Sequence, residues 1–131
     1  DNSAGASPFR YNRPPCRHLI TDSQTKRDAA IEAAVSAVRT NKGIAGLHLE
    51  GPHIAPSRKG VHSIEFMRAL TQEDVTLYIN TAKRIGTLLV TLAAEQVTPQ
   101  QVSQLSKNGV IVSIGHSNCT APQAKALLLL A

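Results

Sequence analysis

Three polar residues stand where apolar runs stop: Glu50 closes GLHLE, Glu95 closes LLVTLAAE, and His116 lies in VSIGHS. After Glu50 the chain continues GPHIAPSRKGVH, adding His53, Arg58, Lys59 and His62. A run that only filled a core would not end this way, because charged and imidazole groups are rarely buried without partners. Carboxylate and imidazole are both ligands for Zn²⁺ or Fe²⁺, and a catalytic ion takes about three protein ligands plus one open position for water. Glu50 and His116 are the two candidates; the spacing supplies no certain third. The competing readings are a strand-end carboxylate held in a Gly-Pro turn for Glu50, and for His116 a place beside helix-capping Ser117 or Asn118. His48 and Glu95 fit better as interior partners than as ligands. His18 and His53 are given no catalytic role. Arg58 and Lys59 read as a solvated pair that could also draw in phosphate.

The elements that would position these groups alternate. Residues 21–43 place Ala30, Ile31, Ala34, Val35 and Val38 at helical spacing, with Asp or Ser as cap and Gly43 as stop. Residues 71–86 open on a Thr71-to-Asp74 capping box and close on Gly86, and residues 98–109 open on Thr98-Pro99 and close on Gly109. A further helix starts near Pro122. Strands are expected at 17–21, 44–50, 88–95 and 110–117. Nearly continuous apolar strands separated by helices, with no hairpin turn, predict an α/β fold of parallel βα units. A doubly wound sheet and a (β/α)8 barrel both fit, and both place chemistry at the carboxyl ends of the strands. Alternation along 44–50 directs Ala45, Leu47 and Leu49 to the helices and His48 and Glu50 to the opposite face. The same counting groups Val110, Val112, Ile114 and His116, so that Glu50 and His116 converge at one rim.

Length and composition narrow the possibilities. The chain has 131 residues, 42% of them hydrophobic, enough for one domain or part of a larger one. Its net charge is +5 and its pI about 9.6. The basic residues are scattered among acidic ones and aromatics make up only 3%, which argues against nucleic acid and suits an anionic small molecule. No apolar stretch reaches the roughly 18 residues of a membrane span, and the start lacks the apolar core of a secretory signal. Cys16 and Cys119 form no CxxC pattern, so a reduced, cytoplasmic setting is expected. Residues 1–16 read as an irregular segment and 17–131 as the folded domain. The final ALLLLA carries no helix stop, so the chain is expected to be truncated there.

Taken together, GLHLEGPHIAPSRKGVH, VTLAAE and VSIGHSNCT resemble three consecutive signature segments of the N-acetylglucosamine-6-phosphate deacetylases, metal-dependent amidohydrolases built on a (β/α)8 barrel. The likeness runs from about residue 17 to the end and corresponds to strands two to five of eight. It implies that Glu50, in HLEGP, and His116, in GHSNxT, are metal ligands, and that Val61 and His62, in the KGxH loop, contact the substrate. His62 could hydrogen-bond the substrate carbonyl or the developing oxyanion. The implied cofactor is a divalent metal, Zn or Fe. The implied reaction is deacetylation of the small-molecule amino-sugar phosphate N-acetylglucosamine 6-phosphate to glucosamine 6-phosphate and acetate, by a cytoplasmic, homo-oligomeric parent enzyme with no nucleic-acid or membrane partner. By the same likeness a further metal His and the general-base Asp lie beyond residue 131, so no catalytic residue is named and the chain alone is expected to have negligible activity. Ala94 stands where the family usually has Pro, Cys119 where it has Ala, and Pro-Pro-Cys-Arg replaces a Leu-Pro-Thr lead. Two alternatives stay open: a sibling amidohydrolase acting on another acyl amide, and a truncated, non-catalytic remnant.

Overall fold

The apolar runs become four strands, β1 (Cys16–Ile20), β2 (Gly46–Glu50), β3 (Leu88–Leu92) and β4 (Val110–Ile114), all parallel and paired in the order β1-β2-β3-β4. Helices α1 (Gln24–Thr40), α2 (Gln72–Ile85) and α3 (Pro99–Lys107) connect them, and α4 (Ala121–Leu128) follows β4. The computed structural model describes residues 16–41 and 43–131. The expected irregular segment 1–16 lies outside the described residues except for Cys16, which opens β1. A doubly wound sheet reverses its strand order at a switch point. Here each strand pairs with the next in sequence, the order of a (β/α) barrel segment.

Local chemistry explains where the helices begin. Thr71 with Asp74, Thr98 with Gln101 and Thr120 with Gln123 form reciprocal capping boxes for α2, α3 and α4, and the Ser23 side chain accepts from the Lys26 N–H at the start of α1. The first helix ends earlier than expected, capped by Asn41. The Asn41 side chain then accepts from the Gly43 N–H at 2.9 Å, so the turn forms before the glycine is reached.

The helices cover one face of the sheet. Register sets Leu47, Leu88 and Val110 side by side, and Leu49, Val90 and Val112 in the next row. These pack with Ile31, Val75, Tyr78 and Leu105 in the main core, each large side chain contributing about 1.5–3 kcal/mol. One expectation is thereby corrected: Val110 and Val112 face the helices, not the face that carries Glu50. Their neighbour Ile111 lies on that other face, in register with His48 through Leu89, and is 53% exposed. Counting back from His116 fails because β4 stops at Ile114 and His116 adopts a φ of 48°, which breaks the two-residue period. No helix of the described residues is long and apolar enough to cross a membrane.

A buried ion-pair cluster joins the helix layer to the loops. The Asp74 carboxylate accepts from Arg27 Nη1 at 3.0 Å, Arg68 Nη2 at 2.8 Å, and the N–H and hydroxyl of Thr71 at 3.0 and 2.9 Å, with a second contact from Arg68 Nη1. Burial pushes the Asp74 pKa up, but the donors from Arg68 and Thr71 outweigh it and hold the carboxyl well below the usual range. Removing the carboxylate leaves two guanidinium groups without their shared partner. Asp74→Ala is therefore expected to lower unfolding stability by about 3–5 kcal/mol, measured by urea titration, with Asp74→Asn losing less because it keeps acceptors for Thr71.

Candidate metal centre

Glu50 is the last residue of β2, and the chain turns at once. Gly51 has a φ of +81°, and a Cβ there would lie 2.0 Å from Thr21 Oγ1, so only glycine permits this approach. The approach brings the residue after β1 against the end of β2, where Thr21 Oγ1 stands 3.4 Å from the Glu50 carbonyl oxygen. Residues 51–55 then run across the strand ends, secured by Gly51 N–H to Thr91 O at 3.2 Å, Ala93 N–H to His53 O at 2.7 Å and Ala55 N–H to His116 O at 2.9 Å. His53 is fully buried beneath this crossing. Its Nδ1 donates to the Arg68 carbonyl at 3.1 Å, and its Nε2 accepts from the Tyr78 hydroxyl at 2.8 Å. Burial pushes its pKa down to about 4, so the ring is neutral.

Above the crossing, histidines gather on the Glu50 carboxylate. Oε1 lies 2.6 Å from His116 Nε2 and 3.9 Å from His62 Nε2, while Oε2 lies 2.9 Å from His18 Nε2. Ligand-type atoms of Glu50, His62 and His116 all fall within 4.8 Å of one another.

Hydrogen bonding on the far side of each ring separates two roles. His116 Nδ1 faces the Arg58 carbonyl at 2.9 Å. A carbonyl only accepts, so Nδ1 carries the proton, and a neutral His116 turns the Nε2 lone pair toward Glu50. A lone pair and a carboxylate that face each other this closely call for a proton or a cation between them. His62 is the reverse: its Nδ1 accepts from the Thr21 N–H at 3.2 Å and lies 2.7 Å from the Thr21 hydroxyl. A neutral His62 therefore carries its proton on Nε2 and presents a donor toward the same space.

Charge states agree with this division. Burial raises the Glu50 pKa, but the imidazoles of His116 and His18 beside it outweigh this and hold the carboxyl below its ordinary value. Burial, aided by His116, pushes the His62 pKa down. An ionised carboxylate and neutral imidazoles are the forms a metal requires, and Nδ1–H on a backbone carbonyl is the usual outer contact of a metal-bound histidine. The donor set thus fits a divalent cation.

Glu50 and His116 converge as expected. His62 lies on a loop as expected, but it is 3% exposed and inside the cluster, not a solvated side chain. Val61 is 86% exposed and stands apart. Arg58 and Lys59 are exposed, as expected of a solvated pair, and Arg58 Nε and Nη2 also donate to Asn118 Oδ1 at 3.2 and 2.9 Å. Glu95 lies beyond the end of β3, in a short 3-10 turn (Ala94–Gln96), where it accepts from Ser117 Oγ at 2.6 Å and from the Asn118 N–H. Ser117 and Asn118 are held by Glu95, and Thr120 caps the following helix. His48 has an interior partner as expected, Thr91 Oγ1 at 2.8 Å. His18, given no role from the sequence, also reaches the Glu50 carboxylate. Leu19 packs against the main core, so alternation along β1 turns His18 to the opposite face, beside His48.

No protein-family model matches the chain. Among curated proteins it is 39% identical over 101 residues to an N-acetylgalactosamine-6-phosphate deacetylase of Shewanella sp. (strain ANA-3), covering 76% of this chain and 25% of that protein. It is 35% identical over 117 residues to the N-acetylglucosamine-6-phosphate deacetylase of Haemophilus influenzae, covering 85% and 30%. Among solved structures it superposes on the N-acetylglucosamine-6-phosphate deacetylase of Pasteurella multocida with a TM-score of 0.80 and 32% identity over 88% of this chain and 30% of that one. It also matches a variant of the Mycobacterium smegmatis N-acetyl-D-glucosamine-6-phosphate deacetylase in complex with N-acetyl-D-glucosamine-6-phosphate, at a TM-score of 0.80 and 25% identity. The chain spans about 25–30% of the length of the first relatives it matches. The resemblance carried by HLEGP, KGVH and GHSN is borne out: curated and structural neighbours alike are amino-sugar-phosphate deacetylases.

The loop beneath the centre gives a pH test. His53 has a folded pKa of about 4 against about 6.5 when unfolded, so the unfolded chain takes up its proton first as pH falls. The stability due to neutral His53 is complete above about pH 6.5 and is lost as pH falls toward about 4. Urea titrations across that window should show the parent losing on the order of 3 kcal/mol more than His53→Gln. Parallel pH profiles for the two would contradict it.

Proposed function

We propose that this chain forms the metal-holding segment of an enzyme that removes the acetyl group from N-acetylglucosamine 6-phosphate, yielding glucosamine 6-phosphate and acetate. Residues 17–131 would form one barrel segment, with Glu50 and His116 as metal ligands and Val61 and His62 on the substrate side. The observation that carries the reading is the Glu50–His116 pair, Oε1 to Nε2 at 2.6 Å with His116 Nδ1 on the Arg58 carbonyl. It orients a carboxylate and an imidazole lone pair at one point. A divalent ion there, Zn²⁺ or Fe²⁺, would supply Lewis-acid polarisation and a water of lowered pKa.

The remaining work falls to the chain's own residues. His62 presents Nε2–H where an amide carbonyl oxygen could accept it, and the hydrogen bond strengthens as negative charge develops on that oxygen. Thr21 fixes the His62 ring, so little reorganisation is needed when the substrate arrives. Arg58 braces the KGVH loop against Asn118, and Val61, exposed next to His62, would be the residue that touches the sugar phosphate. By the resemblance, the further metal His and the general-base Asp belong to later segments of the barrel. The cytoplasmic setting and the homo-oligomeric parent are parts of the same proposal.

A second reading concerns the sugar. The Shewanella relative is named for N-acetylgalactosamine 6-phosphate, which differs from the glucosamine compound at one ring hydroxyl. The test joins this chain to the remaining barrel segments of the Pasteurella multocida protein and assays both sugar phosphates with added Zn²⁺ or Fe²⁺. The completed protein should turn over one or both, the 131-residue chain alone should show negligible activity, and Glu50→Gln in the completed form should lose at least about a hundredfold. If the completed protein binds metal but ignores both compounds, the activity is that of a sibling amidohydrolase.

A further inference from the structure

A carboxylate has two oxygens, and the pairing with His116 and His62 uses one. The other, Glu50 Oε2, is 2.9 Å from His18 Nε2. An ionised carboxylate only accepts, so His18 donates from Nε2. His18 lies on β1 in register with His48 on β2. The two rings stack with centroids 4.6 Å apart and planes at 22°, and His48 is in turn held by Thr91 Oγ1 at 2.8 Å. The hydrogen bond therefore ends a line of support across three strands, from Thr91 through His48 to His18 and on to Glu50.

His18 reaches the carboxylate from outside. Among the described residues, the group of ligand-type atoms within 4.8 Å of one another comprises Glu50, His62 and His116. The His18 side chain is 46% exposed, so core packing does not explain its placement.

We propose that His18 is a positioning residue of this site: by holding Oε2 it sets the rotation of the Glu50 carboxylate so that Oε1 faces His116 and His62. The inference rests on Glu50 being a metal ligand and adds a residue that reading does not contain. The terminal torsion of a glutamate lies in a broad well, so an unheld carboxylate samples orientations that cannot ligate. Losing an outer hydrogen bond to a metal ligand typically costs 10–100-fold in affinity.

The test is calorimetric titration of Zn²⁺ into the 131-residue chain and into His18→Ala, His18→Gln and Glu50→Gln, with circular dichroism to verify the fold. His18→Ala should bind Zn²⁺ about 10–100-fold more weakly. His18→Gln, whose amide donates from nearly the position of Nε2, should return to within about threefold of the parent. His18→Met, which fills similar space without a donor, replaces His18→Ala if that variant does not fold. Binding by His18→Ala within about twofold of the parent overturns the proposal, as does His18→Gln as weak as His18→Ala, which would make the imidazole itself the ligand. If the 131-residue chain takes up no Zn²⁺, the same titrations are made in the completed protein that carries the remaining barrel segments, where no uptake defeats the metal reading of Glu50 by itself and a urea double-mutant cycle on His18→Ala and Glu50→Gln decides the rest. A coupling of at least about twofold in the unfolding constant keeps His18 on the carboxylate, and no coupling removes it.

Discussion

The crossing of residues 51–55 over the strand ends is the constraint on which the site depends. A strand end alone would leave Glu50 and His116 on separate elements, each free to settle with its own loop. The hydrogen bonds from Ala93 N–H to His53 O and from Ala55 N–H to His116 O fix one loop to the ends of β3 and β4 together. The same loop is anchored below by His53, whose two ring nitrogens are taken by Arg68 and Tyr78. Arg68 in turn is held by Asp74, which completes the Thr71 capping box of α2. Helix capping, loop placement and site geometry are thus one connected structure.

This arrangement explains which features could be read from sequence. Parallel strands and capped helices follow from apolar runs, Thr caps and Gly stops, all local signals, and the structure reproduces them with shifts of a few residues. Glu50 was legible because a carboxylate at a strand end is chemically out of place in a core. His62 was harder. Its burial depends on Thr21, forty-one positions away, and on the one-sided approach allowed by Gly51, neither of which has a periodic signature. The face assignment of β4 failed for a similar reason: alternation holds only while the backbone is extended, and His116 is in the left-handed region. A non-glycine residue there stores about 1–3 kcal/mol of strain, and such strain lies outside any pattern of apolar spacing.

Electrostatics distinguishes rings that share one neighbourhood. His53, His62 and His116 are all near carboxylates, yet their partners differ. His53 is sealed against Tyr78 and a carbonyl, and its charge is suppressed by burial. His62 accepts a backbone N–H and points a donor upward, whereas His116 donates to a carbonyl and points a lone pair. Residue type is the same for all three, and the partner of the second ring nitrogen separates their roles.

The two faces of the sheet carry separate tasks. The helix-facing side holds Leu47, Leu49, Leu88 and Val90 at 2% exposure or less, closed against α1, α2 and α3. The opposite side carries His18, His48, Glu50 and Thr91 together with Ile111, which is half exposed. Stability is built on the first face, where apolar burial is complete, and the chemistry stands on the second, where polar groups pair across strands. Because register couples the faces residue by residue, a slip of one position between β1 and β2 would turn Leu19 outward and move His18 off Glu50 in the same step. The core packing of Leu19 and Leu49 is therefore what keeps the imidazole of His18 within hydrogen-bonding distance of the carboxylate.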